Sequence, residues 1–66
     1  MQSETVKRYI TKNVKIFLYH NNTNLVFTAK INFVDDLSCE FIDRYGASFV
    51  FLNAEITSIE LREGFA

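Results

Sequence analysis

Ala29-Lys30-Ile31-Asn32-Phe33-Val34-Asp35-Asp36 is an alternating strand that stops abruptly at two acids. Upstream the alternation continues without a break. Leu25, Phe27, Ala29, Ile31 and Phe33 fall on one side, and Val26, Thr28, Lys30, Asn32 and Val34 on the other. This predicts a long strand over about 24–34 that must bend to stay within a small body. Before it, Val14, Ile16 and Leu18 alternate with Lys15, Phe17 and Tyr19, a strand over about 14–20. His20-Asn21-Asn22-Thr23-Asn24 is a turn by composition, because Asn tolerates left-handed backbone. After it, strands are expected over about 37–43, 48–52 and 55–61. The turn Arg44-Tyr45-Gly46-Ala47 separates the first two, and the polar step Asn53-Ala54 separates the last two. At the start of the chain, Val6, Tyr9 and Ile10 share one helical face, with Ser3 as N-cap and Glu4 in the first turn. A helix over about 3–12 follows. The pattern is mostly β: an N-terminal helix, then a strongly bent five-stranded antiparallel sheet or small barrel, in a single domain over 1–66.

A chain of 66 residues buries only about 60% of its unfolded surface. Disulfides, metals or association usually compensate for so small a core. Cys39 is the one cysteine and His20 the one histidine, which excludes an internal disulfide and makes a structural metal unexpected. Packing and self-association remain. Seven Phe and three Tyr are many for this size, and Pro is absent. Strand four reads Phe49-Val50-Phe51-Leu52, apolar on both faces, and Ile56, Ile59, Leu61 and then Phe65 add to the surplus. A solitary barrel has no second interior for them, and an apolar edge strand invites pairing with another chain. Identical subunits joined edge to edge would close into a ring. Phe49, Phe51, Ile56 and Ile59 are the expected contacts.

The net charge of −1 argues against a generic nucleic-acid binder, but it is unevenly spread. Residues 1–30 carry five Lys and Arg against one Glu, and residues 31–66 carry two Arg against seven acids. A basic side and an acidic side are expected, of which the basic one suits phosphate. No stretch is apolar enough to cross a bilayer, and no apolar run follows Met1, so a cytoplasmic, reducing setting is expected.

The order of helix and five strands resembles the Sm-like superfamily, in particular its bacterial host-factor (Hfq) branch. Ala29, Ile31, Val34 and Asp35 reproduce the spacing of that family's first motif, with Ala where the family prefers Gly at a sharp bend. Phe51-Leu52, Asn53-Ala54, Ile56 and Ile59 match the shape of the second motif. The chemistry departs from the family. Its step carries Arg-Gly or Lys-His that help hold bases at a pore, where this chain has Asn53 and Ala54. The family's base-reading Asn falls on Cys39 and its stacking residue on Leu37. The resemblance spans about residues 3–61 and implies a homo-oligomeric ring of about five to seven subunits acting on single-stranded RNA. SH3-like or truncated OB barrels are the alternative folds.

Lys7, Arg8, Lys12 and Lys15 form the main basic cluster, which a ring would multiply into a crown of positive charge. Lys7, Arg8, Lys12, Tyr19 and Asn53 are the candidate RNA contacts, with Phe17 and Tyr45 as further aromatics able to stack on bases if exposed. Asp35, Leu37, Cys39 and Ala54 are the motif and pore-loop positions. Asp35-Asp36 reads as a turn with capped amides, His20 as an exposed turn residue, and Cys39 as an inert buried thiol. No nucleophile–base pair or glycine-rich phosphate loop occurs, so neither enzyme activity, cofactor nor small-molecule substrate is expected. The expectation is an Sm-like ring subunit that binds single-stranded RNA in a weak or non-standard mode. The alternative is a ring-shaped protein-interaction scaffold without RNA.

Overall fold

The computed structural model describes residues 1–62. A short helix, α1 (Ser3–Lys7), precedes β1 (Asn13–His20), β2 (Thr23–Val34), β3 (Ser38–Asp43), β4 (Ser48–Leu52) and β5 (Ile56–Leu61). A single 3-10 turn, Asn53–Glu55, joins β4 to β5. The strands form one antiparallel sheet in the order β4-β3-β2-β1-β5. Among the described residues no ladder joins β4 to β5, so the sheet is open and both are edge strands. Phe65 lies outside the described residues.

The helix is shorter than its apolar stripe predicts. It ends because the chain is drawn onto the sheet: Ile10 bridges Ile31, and Thr11, at φ 69°, donates its N–H to the Ile31 carbonyl at 2.7 Å. Gln2, not Ser3, occupies the N-cap position, without a side-chain cap. Val6 still enters the core, fully buried, so the amphipathic reading of the helix survives its shortening.

β2 does the work of two strands. Its residues 23–30 pair with β1, and its residues from Ala29 onward pair with β3. Ala29, buried at the changeover, is the small residue that this close double pairing accommodates. The alternation then breaks. The β2–β3 register shifts between Ile31 and Phe33, leaving Asn32 as an extra residue. Ile31 and Val34 are therefore buried, while Phe33 is 57% exposed, which corrects the uninterrupted alternation expected from the sequence. β5 carries a matching irregularity opposite Phe17 and Leu18, where Ile56 pairs with Leu18 and Ser58 with Phe17. Ile56 and Ile59 thereby share the face of Leu18 and Ile16, so the apolar residues of β5 lie on one face.

The core joins Val14, Ile16 and Leu18 of β1 to Ala29, Ile31, Val34, Cys39, Phe41, Ile56 and Val6. At one end Phe27, Phe41, Phe49 and Phe51 pack ring on ring, with Phe27–Phe49 centroids 4.8 Å apart and Phe41–Phe51 at 5.8 Å. Such pairs contribute about 0.5–1.5 kcal/mol each beyond area burial.

Candidate functional site

The step between β4 and β5 is built from the inside out. Asn53 is only 3% exposed, and its Nδ2 donates to the Asp35 carbonyl at 2.9 Å. Its own N–H donates to the Leu37 carbonyl at 2.8 Å, so one residue ties the 35–38 turn to the end of β4. Its Oδ1 is buried without a partner. The N-terminal ammonium donates to the carbonyls of Asn53 and Ile56, at 2.9 and 3.0 Å, fastening the start of the chain to the same turn. Asn53 is thus a structural clasp, not the solvent-facing base contact expected from its place in the step. Ala54 beside it is exposed.

Asp35 holds the other half of this junction. Its Oδ1 accepts the N–H groups of Leu37 and Ser38, at 2.9 and 2.7 Å, and the Ser38 hydroxyl at 3.2 Å. These bonds, that of the Ser38 amide foremost, hold its carboxyl below the ordinary value of 3.8. The turn presents Leu37 to solvent at 75% exposure and sinks Cys39 completely. Burial pushes the Cys39 thiol up to about 11, which fits an inert sulfur.

His20, at the end of β1, meets Glu55 of the 3-10 turn in a side-chain hydrogen bond that no local pattern announces. The His20 Nδ1 meets Glu55 Oε2, and its ring sits edge-on to Phe51 at 5.2 Å. Glu55 Oε1 accepts the Leu52 N–H at 3.0 Å, closing the 3-10 turn. The His20 bond, then that amide, hold the Glu55 carboxyl below its ordinary value. His20 is therefore half-buried and engaged, not a free turn residue.

The basic cluster divides. Lys7, Arg8 and Lys12 are exposed at the α1 end, with the Lys7 ammonium 3.9 Å from Asp36. Lys15 lies on the sheet face opposite to the core, its Nζ 5.4 Å from the Phe17 ring centroid. Across the ladder Lys15 faces Thr28 and Phe17 faces Val26. Val26 and Thr28 line a cleft of about 350 Å³ with Asp43, Arg44 and Tyr45. A smaller recess of about 70 Å³ continues past Thr28 and Arg44 to Lys30 and Asn13. Arg44 stacks 5.2 Å from the Tyr45 ring, and Tyr45 is 80% exposed. Tyr19 ends the β1 side of this face, its hydroxyl donating to Asn22 at 3.3 Å.

Of the residues expected at the edges, Ile56 is buried within its own chain. Phe49, Phe51 and Ile59 are partly buried on the core side of the edges, and Leu61 is half-exposed beside them. On the outer side Val50 and Leu52 stand exposed. Val50 faces Glu40, and Glu40 faces Phe33. No family model, curated protein or solved structure matches this chain.

Proposed function

We propose that the chain is an Sm-like subunit whose β4 edge pairs with β5 of the next copy to close a ring, and that the ring carries single-stranded RNA away from the usual pore step. The observation that carries the reading is the pair of free edges. Each presents core-side residues that one chain leaves half-covered, Phe49 and Phe51 on β4, Ile59 and Leu61 on β5. Pairing these edges would extend the apolar core across the junction and remove two aggregation-prone rims. The double pairing of β2 around Ala29 and the Asp35 turn accord with the bend and loop of the first Sm motif. RNA binding is supported by the basic charge on α1 and on the β1–β2 face, repeated around a ring.

The alternative, a protein-interaction ring without RNA, is favoured by one observation. The outer face of β2–β4 exposes Phe33, Val50 and Leu52 around Glu40, an apolar and acidic surface unsuited to phosphate.

Light scattering and oligonucleotide titration test both parts. The expected mass is five to seven chains, falling to one chain in Val50→Lys, which is exposed and outside the core. Phe51→Glu would be a poor probe, because Phe51 belongs to the aromatic cluster and its replacement would disturb the core together with the edge. A wild-type monomer, or an unchanged mass for Val50→Lys, rejects the edge pairing. Oligouridine or oligoadenine should bind with a steep salt dependence that weakens when Lys7 and Arg8 are replaced. Affinity no greater than that of a scrambled acidic protein rejects RNA binding in favour of the scaffold.

A further inference from the structure

We infer that the cleft between the outer face of β2 and the β3–β4 turn is a seat for a nucleotide unit of a single strand, with Tyr45 as the stacking platform and Arg44, Lys15 and Lys30 as the phosphate track. The inference rests on the RNA-binding reading above and gives it a location that the motif positions do not. Val26, Thr28 and Lys30 lie on the same side of β2, since strand side chains alternate. Phe17 and Lys15 stand opposite Val26 and Thr28 on β1, and antiparallel partners share a face. Arg44 is anchored there by its backbone N–H, which donates to the Thr28 carbonyl at 3.1 Å. Two cation-on-ring pairs, Lys15 on Phe17 and Arg44 on Tyr45, thus flank the apolar floor at Val26.

The chemistry of this face selects its ligand. A flat exposed ring beside a guanidinium accepts another flat ring, and every nucleobase offers one. Three cations on one face of the sheet suit the repeating charge of a phosphate backbone. A cleft of about 350 Å³ sits at the lower end of the range typical of small-ligand sites, roughly 300–1,000 Å³. Two acids border the site. Asp43 is turned to its own loop, its Oδ1 accepting the N–H groups of Tyr45 and Ala47 at 2.9 Å each. Glu60 faces Lys15 from β5 without an ion pair among the described residues. The site keeps a net positive charge. The Asn53 step, by contrast, buries its amide, and the Met1 ammonium beside it is already held by two carbonyls.

Fluorescence titration of labelled oligouridine and oligoadenine against the full chain and its variants tests the inference. Tyr45→Ala should weaken binding about tenfold or more, the typical effect of removing one stacking ring. Tyr45→Phe should bind as wild type. Arg44→Ala should weaken binding and shallow the salt slope by about 0.7, one phosphate contact on a single strand. Unchanged melting curves for the Tyr45 variants establish that the fold is intact, as the exposure of that ring leads one to expect. If wild type binds while Tyr45→Ala and Arg44→Ala bind equally well, this seat is overturned and the RNA reading stands. If wild type binds neither oligonucleotide, both are overturned.

Discussion

Replacing Asn53 by Ala separates a structural step from a ligand-binding one. The wild-type amide donates to the Asp35 carbonyl at 2.9 Å in a site 3% exposed. Truncation strands that carbonyl, a loss of about 1–3 kcal/mol for a buried group left unsatisfied. It also removes the orphaned Oδ1, which returns part of that amount. The net expectation is a loss of about 1–2 kcal/mol. For a domain of this size each kcal/mol moves Tm by about 4–8 °C, so a fall of about 5–15 °C is expected. Circular dichroism melts at one fixed chain concentration read it, because assembly would make Tm concentration-dependent. Asn53→Asp sharpens the test. It keeps the shape but sets a buried carboxylate against the Asp35 carbonyl, so it should cost more at pH 7 than Asn53→Ala. Burial raises that carboxyl's folded pKa, so the deficit should shrink as pH falls and protonation restores a donor. A Tm for Asn53→Ala within about 1 °C of wild type, coupled with lost oligonucleotide affinity, would refute the reasoning: the step would then be a ligand contact.

Three other outcomes follow from the geometry. Asp35 and Glu55 both have folded pKa values below their ordinary 3.8 and 4.5, so their contribution is present above those values and lost as pH falls through the lowered ones. Acid titration by circular dichroism should show wild type losing stability below about pH 4, and Asp35→Asn should flatten that loss; equal pH dependence in the variant would contradict the assignment. The thiol of Cys39, fully buried with its pKa pushed to about 11, should react with a disulfide reagent at pH 8 only at the rate of opening, and immediate reaction would contradict its burial. Asn21 and Asn22 stand at φ 50° and 61° in a two-residue hairpin turn closed by the His20–Thr23 pair. Asn22→Gly should leave the melting point nearly unchanged, while Asn22→Val should lower stability by about 1–2 kcal/mol in denaturant titration.

Alternation made the strands legible to within about a residue, because Val14, Ile16 and Leu18, or Phe49 and Phe51, bury one side of a pleat. The Asn-rich turn was legible for the same local reason. What local pattern could not supply was tertiary in origin. Thr11 ends the helix because Ile31 captures its amide from a distant strand. Asn53 reads as a polar surface residue until the 35–38 turn folds over it. His20 finds Glu55 across 35 residues of chain, a pairing that only the sheet order creates. Lys7, Arg8, Lys12 and Lys15 look like one cluster in the sequence only because they are near one another along the chain. The passage from α1 into β1 sends Lys15 to the other side of the sheet. Arg44 carried no sequence signal beyond its neighbour Tyr45, because the carbonyl that anchors it belongs to β2.

The extra residue at Asn32 changes the parity of β2. Before it, odd-numbered positions such as Ala29 and Ile31 point inward; after it, even-numbered Val34 does. A deletion of Asn32 would leave the facing of its neighbours unchanged: Phe33 would follow Ile31 directly, still outward and opposite Glu40, and Val34 would still point inward opposite Cys39. What it would remove is the local bend and added twist that an extra residue gives a strand. A new side chain at position 32 would keep that kink, whereas loss of the residue would straighten β2 just ahead of the Asp35 turn that holds Asn53. Length at this point sets the curvature of the strand and not the sidedness of its residues.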